Sequence, residues 1–386
     1  MSKRFLKELS EAIGRMRPTI MKVSMETLVN NARALRKRVP EDVKMLCVVK
    51  ADAYGHGALP LARALEKEGL ADGFAVALAE EARVLRQGGV QGMIVILGGA
   101  CEESLREAVR AGASQAVYTA EALEILEDEA RKLGVCAKAH LKVDSGMSRI
   151  GVRRMEELDA LLARWRGCPN VEMEGCFTHF CVADTDPEFT KEQDAAFEKM
   201  LARVHAAGFH PIAHAAASTA MLKREYQHDM VRAGIGLYGC CMPEMEGAIH
   251  PAQTLSTRPI RIEHIHAGDT VGYGRTFRAE RETVVMTLPI GYGDGYPRIL
   301  SNRACVLVRG RRAKIVGRVC MDMLMADVTD IPNVNLDDEV VLMGRQGGEW
   351  ITPDELARQA ETIPYEIMLG FLPRVPRVIE PKPAGA

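Results

Sequence analysis

Short apolar runs alternate with stretches whose apolar residues recur every three or four positions along residues 46–238. The short runs are Leu46–Val49, Phe74–Leu78, Met93–Leu97, Gln115–Tyr118, Ala139–Val143, Val171–Phe177, Ile212–Ala216 and Met230–Tyr238, and they read as buried strands. Between most of them, Ala58–Glu68, Ala79–Gln87, Glu102–Ala111, Ala120–Leu133, Met155–Trp165 and Phe189–Ala207 read as amphipathic helices. Gly69, Gly88, Gly112, Gly134 and Gly208 stand where helix ends favour a left-handed residue. Eight such units predict an α/β fold, a (β/α)8 TIM-type barrel over residues 25–250. The alternative, an open doubly wound sheet, would favour G-x-G-x-x-G after its first strand, and none follows Val49.

From about Pro251 the pattern changes. Short β-branched runs (Thr257–Ile262, Thr270–Tyr273, Thr283–Pro289, Ala304–Val308, Lys314–Val316, Leu324–Val328, Glu339–Leu342) are separated by turn residues and predict a C-terminal β-domain over 251–386. Helical pattern is scarce there apart from Thr352–Gln359, where Thr352-Pro353-Asp354-Glu355 is a helix start with proline at the first position. Residues 1–24 form an N-terminal segment. Phe5, Leu9, Ile13 and Met16 have helical spacing, and Pro18–Ser24 reads as a strand expected to join the β-domain.

Composition narrows the class. The 386 residues are 47% hydrophobic, enough for a large domain and a smaller one. A net charge of −2 without long charge runs argues against nucleic acid as a partner. Ten cysteines without a C-x-x-C pair fit a reduced, cytoplasmic setting better than a disulfide framework. Apolar runs are too short to cross a bilayer, and Glu8 and Glu11 interrupt the segment where a signal peptide would need an apolar core.

The chemistry of such a barrel collects at the C-terminal ends of its strands. Lys50 falls there, ending an apolar run ahead of a Gly-rich turn; Lys142, Asp144 and Arg149 follow strand five, His179 strand six and Ser218 strand seven. Arg232, Gly234 and Ile235 lie in the strand-eight region. Lys50 reads either as a Schiff-base amine at the mouth of an apolar core or as a snorkelling surface lysine. The loops after strands seven and eight are the usual phosphate site, and Ser218 and Gly234 supply a hydroxyl and a close backbone approach. Ser218 also reads as a helix N-cap ahead of Thr219–Arg224. A Schiff-base lysine facing a phosphate site points to pyridoxal 5'-phosphate.

Eight short segments, in order across residues 18–380, resemble those of the alanine racemase family. They are Val49-Lys50-Ala51-Asp52-Ala53-Tyr54-Gly55-His56-Gly57, Lys142-Val143-Asp144-Ser145-Gly146-Met147-Ser148-Arg149-Ile150-Gly151, Thr178-His179-Phe180, Met230-Val231-Arg232-Ala233-Gly234-Ile235, Val271-Gly272-Tyr273-Gly274, Leu288-Pro289-Ile290-Gly291-Tyr292-Gly293-Asp294-Gly295, Cys320-Met321-Asp322 and Arg374-Val375-Pro376-Arg377. The resemblance implies a racemase in which Lys50 carries pyridoxal phosphate and Tyr273, from the other subunit of a homodimer with composite sites, is the opposite base. It further implies that Tyr54, Ser218, Gly234 and Ile235 hold the phosphate, and that Arg232 faces the pyridine nitrogen beside His179. Arg149 would touch the cofactor hydroxyl and the carboxylate of a small amino-acid substrate. Met321 of the partner would approach that carboxylate, with Tyr292 and Asp322 in support. In many members the lysine matching Lys142 is carbamylated and orients the arginine matching Arg149.

One departure stands out. Many members carry Ser-Tyr before Arg-Val-Pro-Arg, where this chain has Leu372-Pro373. Proline has neither hydroxyl nor ring, so a phosphate contact is lost and a wider pocket, with serine as second substrate, is expected. A serine or broad-spectrum racemase is therefore the first alternative. A decarboxylase of the same architecture would need an acid where Arg232 stands, and a non-catalytic carrier of pyridoxal phosphate leaves Tyr273 unused. A cofactor-free Schiff-base aldolase leaves Ser218, Gly234 and Arg232 without a role. Read without the family, Tyr273 could be a packing aromatic at a bulge, and Arg149 and Arg232 surface ion-pair partners. His264-x-His266 has metal spacing but lacks a nearby Cys or a further His, and Cys320 reads as core or site wall.

Overall fold

The computed structural model describes residues 17–380; the expected helix carrying Phe5, Leu9, Ile13 and Met16 lies outside them. The described chain divides into two units, residues 28–249 and residues 17–27 with 250–380. The first strand, β1 (Ile20–Ser24), belongs to the second of these.

The unit of residues 28–249 is built on eight parallel strands. They are β2 (Lys44–Val48), β3 (Gly73–Val76), β4 (Met93–Ile96), β5 (Ser114–Val117), β6 (Ala137–Lys142), β7 (Val171–Phe177), β8 (Ile212–His214) and β9 (Met230–Ala233). Their order, β8-β7-β6-β5-β4-β3-β2-β9, follows the chain except that β9 pairs with β2. A bridge between Ala217 and Arg232, with Arg232 N–H donating to the Ala216 carbonyl at 2.9 Å, joins the two ends. The sheet is thus a closed barrel, which removes the exposed edges of an open sheet. Helices Ala58–Lys67, Ala79–Gln87, Glu102–Arg110, Ala120–Leu133, Met155–Arg166 and Pro187–Ala206 fall between the strands. Each turns its apolar stripe inward, as Leu123, Leu126 and Ala130 do in the helix from Ala120.

Three details differ from the pattern. The eighth strand ends at Ala233, and Ile235–Tyr238 is a 3₁₀ turn rather than the rest of a strand. The helix before Gly88 ends with that glycine at φ −73°, and Gly89 is the left-handed residue. Lys50 follows β2 by two residues and opens a helical turn of unusual hand, described below.

The other unit is a β-domain. Its strands are β1, β10 (Gln253–Thr257), β11 (Arg261–Ile265), β12 (Thr270–Val271), β13 (Phe277–Arg278), β14 (Thr283–Leu288), β15 (Cys305–Val308), β16 (Arg311–Ile315), β17 (Leu324–Asp327), β18 (Val340–Gln346), β19 (Glu349–Ile351) and β20 (Arg377–Glu380). One sheet runs β11-β14-β17-β16-β15-β18-β10-β1-β20, and β12–β13 is a separate hairpin. β1 pairs antiparallel with β10 and parallel with β20, so two segments more than 220 residues apart in sequence share a sheet. The run Thr257–Ile262 splits between β10 and β11 because Pro259 has no N–H for a ladder. The helix after Thr352 starts as its sequence indicates: Pro353 is first, and the Thr352 hydroxyl accepts from Glu355 N–H at 3.0 Å.

Candidate active site

Lys50 stands at the C-terminal end of β2, and the four residues after it adopt left-handed backbone. Ala51, Asp52, Ala53 and Tyr54 have φ of 51°, 52°, 55° and 50°. None is glycine, and left-handed helix costs an L-residue roughly 1–2 kcal/mol. Tertiary hydrogen bonds hold the turn. Glu81 accepts from Ala51 N–H at 2.5 Å, and Asp52 accepts from Ala58 N–H at 2.8 Å, starting the next helix. Strain of this kind concentrates at functional sites. Here it carries the chain from Lys50 to Tyr54, whose ring meets Tyr238 edge-on at 4.7 Å.

A small cradle forms around Gly234. The Ser218 hydroxyl accepts from Gly234 N–H at 2.8 Å and from Gly236 N–H at 3.3 Å, so it is not the cap of the following turn, where Thr219 precedes a short 3₁₀ segment. A Cβ at position 234 would sit 3.4 Å from Ser218 Oγ and 3.7 Å from Tyr54 Oη. Glycine therefore leaves open the space between two hydroxyls, and Ile235 follows at once. Ser218, Tyr54 and Ile235 are buried. Ser218 from the loop after β8, Gly234 after β9 and Tyr54 from the turn after β2 thus gather hydroxyls of the kind a phosphate group needs.

Arg232 is the electrostatic centre of the barrel mouth. It is 2% exposed, yet no carboxylate pairs with it among the described residues. Its Nη1 donates to His214 Nδ1 at 2.8 Å and the His214 carbonyl at 2.9 Å. Nη2 donates to the Ala215 and Thr178 carbonyls at 2.7 and 2.8 Å, and lies 3.2 Å from His179 Nδ1. Nε–H is the part of the guanidinium left without a protein acceptor among the described residues. Burial pulls Arg232 down to about 9, so it stays cationic at neutral pH. His179 is pushed down to about 3 by burial and by Arg232, Arg149, Lys142 and Lys50, and is neutral. Neutral His179 can accept from Arg232.

Two lysines share this surplus of positive charge. Burial, then Arg149, holds Lys50 below its ordinary range; Glu81 opposes and Arg232 adds to the lowering. Lys142 is buried, donates to the Val143 carbonyl at 2.5 Å and lies over the Phe177 ring at 5.2 Å. Burial and Arg232 bring it down to about 7, against the pull of Asp144. Asp144 itself accepts from Gly146 and Ser148 N–H at 3.0 Å each, which shapes the loop leading to exposed Arg149. A depressed lysine amine is a nucleophile toward carbonyls near neutral pH.

In the β-domain, the β12–β13 hairpin presents Tyr273 with 70% of its surface exposed. Gly272 and Gly274 flank it at φ 71° and 72°, and a Cβ at 272 would meet Met325 at 3.0 Å. The ring is exposed, not packed at a bulge. It lines an open cavity of about 750 Å³ with Met321, Asp322, Met323 and Ile260. Tyr292 lies on the Met321 segment, through Tyr292 N–H to the Cys320 carbonyl at 3.0 Å and Gly293 N–H to the Met321 carbonyl at 2.8 Å. Asp322 pairs with Arg374 at 2.7 Å, and Leu372 N–H donates to the Asp294 carbonyl at 3.0 Å just before Pro373. Cys320 is half-buried on the cavity wall, and His266 lies 3.0 Å from Glu282.

Each unit thus gathers its own share of the expected residues. Lys50, Lys142, Arg149, His179 and Arg232 share one electrostatic environment, and Tyr54, Ser218 and Gly234 one cradle. Tyr273, Met321 and Asp322 share one cavity, with Tyr292 tied to the Met321 segment. Sequence reading missed Phe177 and His214, which lie against Arg232, and His140 and Glu174, which extend the hydrogen bonds behind His214. Their signal was present: histidine and glutamate inside runs read as buried strands.

The comparisons agree with this division. Residues 23–242 match the family model "Alanine racemase, N-terminal domain", and residues 252–379 match "Alanine racemase, C-terminal domain". An alanine racemase of Symbiobacterium thermophilum is 44% identical over 376 residues, covering 94% of this chain and 97% of that protein. The solved alanine racemase of Clostridium difficile 630 superposes with a TM-score of 0.88 at 33% identity, covering 94% of this chain and 96% of its own. A solved histidine racemase of Leuconostoc mesenteroides subsp. sake gives 0.84 at 29% identity, covering 95% and 98%. With both parts matched in order and more than nine-tenths of the length shared, the chain belongs to the alanine racemase family.

Proposed function

We propose that the protein interconverts L- and D-alanine with pyridoxal phosphate and two acid–base groups, Lys50 and the Tyr273 of a second copy of the chain. The observation that carries this reading is Arg232: buried, cationic, tied by both Nη atoms to neutral acceptors, and left with Nε–H to offer. The cradle of Ser218, Tyr54 and Gly234 fits a phosphate, and the depressed amine of Lys50 fits an aldehyde. When bound there, pyridoxal phosphate supplies an electron sink that acidifies the Cα proton of an amino acid.

The protein's own residues do the rest. Racemisation takes a proton from one face of Cα and returns one to the other, so two bases must flank that carbon. Lys50 serves one face, and exposed Tyr273 serves the other in a homodimer with composite sites. Arg232 keeps its proton, where a carboxylate at that place would stabilise a protonated ring; this restrains side reactions such as transamination. Arg149 and the Met321 of the second copy meet the substrate carboxylate. Lys142, close to half-neutral at pH 7, has the free amine that carbamylation requires, and the resulting anion would steady Arg149. No helix among the described residues is long and apolar enough to cross a membrane.

Pro373 favours a second reading, a racemase that also accepts serine or a broader range. The same fold carries a histidine racemase in one structural neighbour, so the scaffold tolerates larger side chains. Chiral chromatography after incubation with L-alanine and, separately, L-serine tests both. Fast alanine and negligible serine turnover supports the first reading alone, comparable rates support the second, and no D-isomer from either overturns both.

A further inference from the structure

Behind Arg232 a chain of buried polar groups crosses five neighbouring strands. Arg232 Nη1 (β9) meets His214 Nδ1 (β8) at 2.8 Å; His214 Nε2 meets His140 Nδ1 (β6) at 2.9 Å; His140 Nε2 meets a Glu174 oxygen (β7) at 3.2 Å. The same oxygen accepts from Ser114 Oγ (β5), and the other accepts from Lys138 Nζ at 2.6 Å. His140 and His214 are fully buried, and Glu174 nearly so. Phe177 stacks on His214 with ring centres 4.8 Å apart and planes within 5°.

The proton positions along this chain follow from its two ends. A guanidinium can only donate, so His214 Nδ1 accepts and His214 Nε2 carries the proton. His140 Nδ1 must then accept, and His140 Nε2–H donates to Glu174. Every donor points the same way, from the arginine to the carboxylate. Local backbone places that carboxylate. Ala139 pairs with Met173 and His140 with Gly175, so Glu174 is the extra residue of a bulge in β7. A Cβ at Gly175 would collide with the His140 ring, so glycine there lets the imidazole lie against β7.

We infer that Glu174 is a positioning residue for Arg232: acting through His140 and His214, it fixes both imidazole tautomers and so the direction in which Arg232 is held. The inference rests on the reading of Arg232 as the group facing the cofactor ring. Without an acceptor at 174, His140 can carry its proton on Nδ1. His214 must then carry its own on Nδ1, which faces Arg232 Nη1 donor to donor. The guanidinium loses its seat although nothing touching it has been substituted.

The first test uses the wild-type holoenzyme. Nitrogen-15 spectroscopy of histidine-labelled protein is expected to show His140 and His214 both neutral with the proton on Nε2. A proton on Nδ1 of either ring overturns the inference. The second test compares variants by release of pyridoxal phosphate from the holoenzyme and by kcat and KM. Glu174→Leu is expected to release cofactor about tenfold faster and lose about tenfold in kcat with KM little changed, the usual scale for a lost hydrogen bond to a charged group. Glu174→Gln keeps an acceptor oxygen and is expected to stay within threefold of wild type, as is Lys138→Met. A folded Glu174→Leu with wild-type release and kcat overturns the inference, as does a Gln variant as impaired as the Leu one. If Glu174→Leu does not fold, the nitrogen-15 spectra and the Gln variant decide. Arg232→Lys separates the levels: wild-type cofactor release in that variant sinks the reading of Arg232 itself.

Discussion

Replacing Lys142 by methionine is expected to stabilise the barrel, and more so at pH 7 than at pH 9. An unfolded lysine keeps its proton until about pH 10.5, whereas buried Lys142 beside Arg232 keeps it only to about pH 7. Between those values the unfolded chain binds more protons, so this lysine's cost to stability shrinks as pH rises. Taking both values, the cost is about 4 kcal/mol at pH 7 and about 2 kcal/mol at pH 9. Methionine has similar length and no charge, and any packing difference it brings is the same at both pH values. The stability gained by Lys142→Met should therefore be about 2 kcal/mol larger at pH 7 than at pH 9. Chemical unfolding in bicarbonate-free buffer measures it, with carbamylation suppressed. Of the two tryptophans, Trp165 is buried in the barrel and Trp350 lies in the β-domain, so a Trp350→Phe background makes fluorescence report the barrel alone. An equal gain at the two pH values, or a loss at pH 7 that vanishes at pH 9, would refute the argument.

Other expectations concern the chemistry. Tyr273→Phe should lower racemisation by ~10²–10⁴-fold. It should still let one enantiomer exchange its Cα proton with deuterium through Lys50; mass spectrometry of recovered alanine distinguishes this from loss of both exchanges. Ser218→Ala strips a buried acceptor from the Gly234 and Gly236 N–H groups, costing ~1–3 kcal/mol. A lower melting temperature and weaker cofactor retention should appear together, and retention equal to wild type would remove Ser218 from the phosphate site. Pro373→Tyr should reduce the ratio of serine to alanine kcat/KM; an unchanged ratio means that position does not set the pocket.

The order of elements was legible along the chain because each kind has its own period. Short apolar runs between helical stripes could only mean buried strands with covering helices, and lysine, serine and arginine recurring after those runs marked one end of a barrel. What the pattern did not carry was geometry that runs against local preference. Nothing in Ala51-Asp52-Ala53-Tyr54 favours left-handed backbone, and distant Glu81 together with the next helix enforces it. Strand eight stopped early for a similar reason: Ile235–Tyr238 is apolar enough to continue β9, but the 3₁₀ turn brings Gly236 N–H to Ser218.

By itself, then, the sequence determined the barrel, the β-domain and the end at which chemistry gathers, since these depend on periodicity and on which residues can be buried. Only the tertiary structure decided how the charges settle. The Arg232 acceptors come from β8 and from the loops that follow β7 and β8, and the carboxylate nearest along its hydrogen-bond chain is three links away on a bulge. Lys142 is a weak base because it is buried beside Arg232, and Tyr273 is exposed on a turn whose flanking glycines take left-handed backbone. A pKa, a tautomer and an exposed ring are properties of neighbours in space, and a chain read in order does not list them.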